Sequence, residues 1–415
     1  MSKKKKNRWV GRSFFILFGI LVLGGFGLVY SRSHPSVSNA NMASAVVSSD
    51  GTVTVADLHS DYNTSSSTEK ARILIVPGHE PAYGGAQFGS IYERNLVVEI
   101  GQDLQQYLQT NNNYEAFITR DTQSWNPTFT DYFNTDWNAI IAWEKTARQN
   151  ASTLASLGPQ TAPPVNHNSA PANVALRLFG ITKWANENSI DLMIHLHLND
   201  YPGHSSKVAG RYSGLVIYIP AQQYANNPTT KAVADAMFKR LSLYNPISNL
   251  PIESGGIIDD PELIAVGVGN SADAASMLIE YDYIYESQFV NPKVRSLALK
   301  DLAYQTYLGL QDFFTKNSSV SATNVYNPSS LYAWKIPVTG KNSNPEDIYA
   351  LQTALLMDGD YPPTGKTKND CPHSGTFGAC TQAAIQEFQK KNGIAGESVG
   401  GLHTFTLLNK IYTQN

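Results

Sequence analysis

Two histidines stand one residue apart in "DLMIHLHLND", residues 191–200, at the end of an apolar run. Groups of the same chemical kind end or interrupt apolar stretches elsewhere: His79 in "VPGHE", Glu93 in "YERN" and Glu280 in "LIEYD". Two histidines and a carboxylate are the set that holds a catalytic zinc while leaving one position open for water. A second carboxylate outside that set can take the proton of the water and deliver it to a leaving nitrogen. Glu280 is the least easily dismissed of these groups, because a carboxylate inside an apolar strand is costly to bury without a cation or metal beside it. Each group also has a plain structural reading: an ion pair for Glu280, a helix-dipole partner for Glu93, a turn residue for His79. Glu80 and Glu99 are the nearby acidic competitors. The spacings, 14 residues from His79 to Glu93 and 104 from Glu93 to His197, match no short zinc motif.

The elements that must carry these groups alternate in type. "ARILIV" predicts a buried strand running into Pro77-Gly78, and "NLVVEIGQDLQQYLQ" a helix with Leu96, Ile100, Leu104 and Leu108 on one side. "YEAFITR", "DLMIHLHL", "GLVIYIP" and "AASMLIEYDYI" predict further strands, with helices at "NVALRLFGITKWANEN", "TTKAVADAMFKRLSLY" and "PKVRSLALKDLAYQTYLGLQDFF" between or after them. This pattern reads as a mixed-sheet α/β sandwich over residues 71–314. Side chains alternate faces along a strand, so His195 and His197 point the same way, and strand geometry leaves them equivalent. Residues 122–171 break the pattern, with one helix expected at "DWNAIIAWEKTARQNASTLASL". That irregular insertion is open to use as a lid, a regulatory plug contributing an extra ligand (Glu144 or His167), or a surface for a protein activator.

Outside this segment the chain changes character. Six basic residues and no acids occupy positions 1–12; the remainder holds 25 basic against 34 acidic residues, a net of −9, which is a poor surface for nucleic acid. "SFFILFGILVLGGFGLVYS", residues 13–31, is uncharged and long enough to span a bilayer, so the basic tip predicts an N-terminal transmembrane helix with the bulk of the chain exported. A cleaved signal is the alternative, with Ala43-Ser44-Ala45 or Ser31-Arg32-Ser33 as the site. Residues 32–70 read as a flexible stalk and 315–340 as a linker. Residues 341–415 form a small C-terminal helical module, where Cys371 and Cys380 suit a disulfide in an exported protein better than a metal site completed by His373.

In order, these pieces resemble the zinc-dependent N-acetylmuramoyl-L-alanine amidases of bacterial cell walls, the amidase-3 type. "PGHEPAYGGAQFGSIYERNL" resembles that family's opening strand, loop and helix, and "ITRD" its Thr-Arg strand. "RLFGITKWANENSIDLMIHLHLND" is similar to its helix and the strand ending in His-x-Asn, and "SMLIEYDYI" to the strand bearing the catalytic Glu. The resemblance implies His79, Glu93 and His197 as zinc ligands and Glu280 as general base and acid. His195 then falls where the family commonly has a small residue, as a neighbour able to orient Glu280 or a ligand by hydrogen bonding. Glu80 stands where a glycine is common, Val76 where an acid precedes the proline, and the Ser-Asn after the catalytic strand is missing. "IYALQTALL", "GTFGACTQAAIQEFQKKNGI" and "GGLHTFTLL" resemble a peptidoglycan-binding domain. The activity implied is hydrolysis of the amide between N-acetylmuramic acid and L-alanine, at the cell envelope, with peptidoglycan as partner. A zinc peptidase acting on stem peptides and a non-catalytic wall-binding protein are the alternatives.

Overall fold

The computed structural model describes residues 51–63, 70–157, 170–315, 334, 336–395, 397 and 400–413. The basic tip, the apolar stretch 13–31, much of the expected stalk and linker, and His167 lie outside the described residues. Among the described residues no helix is long and apolar enough to cross a membrane.

In chain order the elements are α1 (Val55–Asn63), β1 (Ala71–Pro77), β2 (Gln87–Phe88), β3 (Ile91–Tyr92), α2 (Glu93–Gln109), β4 (Tyr114–Ile118), α3 (Pro127–Thr135), α4 (Trp137–Leu157) and α5 (Ala172–Glu187). There follow β5 (Leu192–Asn199), β6 (Val216–Pro220), α6 (Asn227–Tyr244), β7 (Ile257–Asp260), β8 (Ala275–Tyr283), α7 (Ser287–Val290) and α8 (Arg295–Thr315). The C-terminal region adds α9 (Pro345–Asp358), α10 (Ala379–Lys391) and α11 (Leu402–Thr413). Six strands form one mixed sheet in the order β4-β1-β5-β8-β6-β7. β4, β1, β5 and β8 run parallel, and β6 meets β8 antiparallel while pairing in parallel with β7.

Helices cover both faces, as the apolar runs of the central strands require. On one face Ile73, Ile75, Ile194, Leu196, Met277 and Ile279 pack with Leu96, Ile100 and Leu104 of α2 and with α6 and α8. On the other, Leu74, Val76 and Met193 pack with Phe129, Phe133, Ile140, Phe179 and Trp184. The insertion is thus more regular than its sequence suggests. Asn126 caps α3, accepting from Thr128 N at 3.1 Å, with Pro127 in the first turn. α3 and α4 together bury an apolar face against α5.

The tether reading fails for residues 51–63. Leu58 and Tyr62 lie one helical turn apart on α1, are 0% and 1% exposed, and join the main core, where Tyr62 stacks on Phe314. A nine-residue helix is marginal in isolation, and burial of these two large side chains helps to hold it. β7 and the β2–β3 hairpin are further elements absent from the sequence reading.

α9 starts on Asn344, whose side chain accepts from Glu346 N, and stops at Gly359 with φ +84°. Its Leu351 and Leu355 pack with Ile385, Phe388, Phe405 and Leu408 in a core of their own. Cys371 and Cys380 are disulfide-bonded. His373 stacks on Tyr349 at 3.8 Å and meets Thr353 Oγ1 at 2.9 Å, so it serves packing rather than a metal. This module is seated on the sheet domain. Tyr349 packs on Val294 and Ala298 and hydrogen-bonds Asp301, and Lys368 Nζ donates to the Ser242 carbonyl. A cavity of about 170 Å³ lies between the two.

Candidate metal centre

The parallel strands β1, β5 and β8 deliver their C-terminal ends side by side, the place where open α/β sheets present functional groups. His79 follows β1 by two residues, His197 sits on β5, and Glu280 is its cross-strand partner on β8. Glu93, the first residue of α2, completes the group. Glu93 Oε1 is 2.9 Å from His79 Nε2 and 2.9 Å from His197 Nδ1. The three ligand-type atoms lie within 4.8 Å of one another, and the two rings meet edge to face, 77° apart. Two imidazole nitrogens and one carboxylate oxygen converging on a point are a donor set that fits zinc.

Glu93 is held from several sides. Its Oε2 accepts from Ala86 N at 2.7 Å, and Oε1 also accepts from Leu198 N at 3.1 Å. Burial pushes this carboxylate up, but the charges and hydrogen bonds of His79 and His197 outweigh it and hold Glu93 well below the usual carboxylate range. Glu280 has the opposite environment. It is half-buried, its Oε2 is enclosed without a hydrogen-bond partner among the described residues, and burial followed by the charges of Glu93 and Glu253 raises it well above the usual value. Two carboxylates pushed apart in this way suit two roles, one a ligand and one a proton carrier.

The backbone around His79 explains the local sequence. His79 itself has φ +69°, a strained conformation for a non-glycine residue. A Cβ on Gly78 would stand 2.3 Å from His197 Cε1, and one on Gly85 would stand 2.8 Å from His79 Cδ2. These glycines are there because the imidazoles occupy that space. Arg120 holds the loop from beneath: it is 1% exposed and donates to the carbonyls of Pro77, Gly78, Arg94 and Asp121. β4 ends at Ile118, before the expected strand "YEAFITR" does, because Thr119-Arg120 turns under this loop. Sequence reading treated "ITRD" as a family feature without assigning Arg120 a task.

Other expectations are corrected. His195 and His197 do share a face, but His195 makes no hydrogen bond to Glu280 or to a candidate ligand. It is 1% exposed, and its Nε2 is buried without a partner among the described residues. Burial, then the neighbouring His197, lowers it to about 3, so it is a neutral packing residue. Glu80, where the family has a glycine, is 5% exposed and pairs with Arg177 at 3.0 Å, tying the loop to α5. Glu144 pairs with Arg148 at 2.8 Å, one turn along α4, and is no extra ligand. Sequence reading missed Glu253, a buried carboxylate in the turn before β7; no local pattern marks it.

A family model described as N-acetylmuramoyl-L-alanine amidase (Amidase_3) matches residues 73–311. Among solved structures, the chain is similar to an N-acetylmuramoyl-L-alanine amidase from Clostridium difficile 630, at 15% identity and TM-score 0.37, covering 60% of this chain and 99% of that one. The CwlD amidase from Clostridioides difficile, in complex with the GerS lipoprotein, gives 13% and 0.38, covering 60% and 100%. AmiC2 of Nostoc punctiforme gives 16% and 0.36, covering 59% and 97%. No curated protein sequence matches the chain.

Proposed function

Because the chain belongs to the N-acetylmuramoyl-L-alanine amidase family (Amidase_3), we propose that it is a zinc-dependent hydrolase of the amide joining N-acetylmuramic acid to L-alanine. The observation that carries the reading is the convergence of His79, Glu93 and His197, with Glu280 on the rung beside His197. His79, Glu93 and His197 would hold the metal. Zinc there supplies Lewis acidity for the amide carbonyl and lowers the pKa of a water.

The remaining work falls to the protein. Ala86 N and Leu198 N keep Glu93 turned toward the two imidazoles, so the donor set is pre-arranged. Glu280 takes a proton as water adds to the carbonyl carbon, then gives it to the nitrogen as the C–N bond breaks. The products are a carboxylate on the lactyl group and a free amine on L-alanine. The side chain of His79 is 27% exposed, which leaves an approach for the substrate.

We extend the proposal to the flanking regions. Residues 341–415 bind peptidoglycan and raise the local concentration of substrate. The chain works on the outer side of the membrane, held by residues 13–31 or released after cleavage; the apolar run and the Cys371–Cys380 pair support this. The test is digestion of purified peptidoglycan with mass analysis. Free glycans and intact stem peptides are expected, abolished by a chelator and restored by zinc. Fragments cut within the stem would support a peptidase instead, and activity indifferent to chelation would refute the zinc assignment.

A further inference from the structure

Glu253 ends a short 3₁₀ turn, Pro251–Glu253, in the connection between α6 and β7. It is 2% exposed, and its carboxylate accepts from four neutral donors. Tyr218 OH lies at 2.8 Å, Asn199 Nδ2 at 3.1 Å from both oxygens, Tyr283 OH at 3.2 Å, and Ser248 Oγ also donates. It forms no ion pair among the described residues. A buried carboxylate without a cation is a poor contributor to stability compared with an apolar side chain of the same size. The arrangement therefore calls for a reason other than stability.

The donors supply it. Asn199 ends β5, Tyr283 ends β8, and Tyr218 belongs to β6, so one carboxylate joins three adjacent strands at the edge that bears the site. The pairing of β5 and β8 is irregular at this point. His197 pairs with Glu280, whereas Asn199 pairs with Tyr283, so two steps on β5 face three on β8. An extra residue in one strand is a bulge, and a bulge that migrates by one position turns the side chains it passes to the opposite face. Glu280 is the residue immediately before this bulge. The loop that carries Ser248 is itself fastened to the start of β6, with Leu215 N donating to Pro246 O at 2.8 Å and Ser248 N to Leu215 O at 2.9 Å.

We propose that Glu253 is a positioning residue: by grasping Asn199, Tyr283 and Tyr218 together it fixes where the β8 bulge sits, and so keeps Glu280 on the face of His197. This inference rests on the amidase reading for its kinetic consequences. The test uses the full-length, zinc-loaded chain with Glu253→Gln, which keeps the size, removes the charge and replaces one accepting oxygen by an NH2 donor that faces the donors now held there. Expected are a fall of at least tenfold in kcat per bound zinc, a KM within twofold of wild type, and faster amide hydrogen exchange confined to residues 280–284. A kcat per zinc within twofold of wild type would overturn the proposal. So would exchange accelerated evenly over the whole domain, which would mark a general structural role. Tyr218→Phe deletes one donor and leaves Glu253 in place; a loss of about threefold is expected, and an unchanged rate counts against the clamp. If wild type itself fails to cleave, the amidase reading falls, and the exchange measurement alone decides the clamp.

Discussion

Gly78→Ala is the sharpest probe of the site, because it adds one carbon at a place where the structure has no room. Gly78 is not among the glycines at positive φ, so alanine brings no backbone strain. The new Cβ would lie 2.3 Å from Cε1, 2.5 Å from Nε2 and 2.7 Å from Nδ1 of His197. Carbon atoms in contact prefer about 3.5–4.0 Å, so the imidazole must retreat by more than about 1 Å. Metal sites hold their ligand distances to about 0.2 Å, and His197 has no slack in the other direction, since Glu93 Oε1 stands 2.9 Å from Nδ1. A displacement of this size typically costs about 10²-fold in rate. A loss of about 10²-fold in zinc affinity, or about 2.7 kcal/mol, is expected beside it. Competition with a chelator of known affinity measures the zinc affinity, and release of stem peptide at saturating zinc measures the rate. Gly378→Ala is the control, since an added Cβ there meets nothing within 4 Å. Zinc affinity and turnover within twofold of wild type in Gly78→Ala would refute the packing argument and the role given to His197.

Three further outcomes are expected. Glu280→Gln should keep one zinc per chain yet lose about 10²–10⁴-fold in turnover, read from metal analysis and peptide release; an active variant would remove Glu280 from the proton path. Arg120→Met strips the carbonyls of Pro77, Gly78 and Arg94 of a buried donor, and should cost about 3 kcal/mol or more in denaturant unfolding, with zinc affinity falling as the His79 loop loosens. Asp191 is 8% exposed and raised by burial to about 7, against the opposing pull of its hydrogen bond from Arg72 N. Its folded form therefore keeps a proton that the unfolded chain gives up near pH 3.8, so stability is present below that pH and declines as pH rises toward about 7. Asp191→Asn should accordingly raise stability at pH 8 by up to about 4 kcal/mol and change nothing at pH 4; equal effects at both pH values would sink the assignment.

Much of the fold was legible because the central strands are apolar runs bounded by turn residues. The same runs exposed the site: a carboxylate between Ile279 and Tyr281, or a histidine following Pro77-Gly78, is conspicuous against them. What stayed hidden depends on partners far away in the chain. Arg120 gathers carbonyls from residues 77, 78, 94 and 121, and Glu253 gathers donors from 199, 218, 248 and 283; neither set has a spacing to read. α1 lay in a Ser/Thr-rich stretch whose composition resembles a tether, although its Leu58 and Tyr62 are buried in the main core. The pair His195 and His197 shows the limit of periodicity. Alternation put both on one face, but only the approach of α2, which brings Glu93 to His197, separates a candidate ligand from a packing residue.

The seating of the C-terminal module changes what such a domain does for an enzyme. A binding domain on a free string lets the active site sample any bond within a sphere, and linker length sets how thinly its time is spread. Here Tyr349 and Lys368 fasten the module to Asp301 and Ser242, on helices that also support the sheet. Under the proposed wall-binding role, grip and blade keep a constant separation and a constant angle. The enzyme would then act as a ruler, cutting at a set distance from wherever it holds, and the pattern of cuts along a glycan would carry that distance as a period.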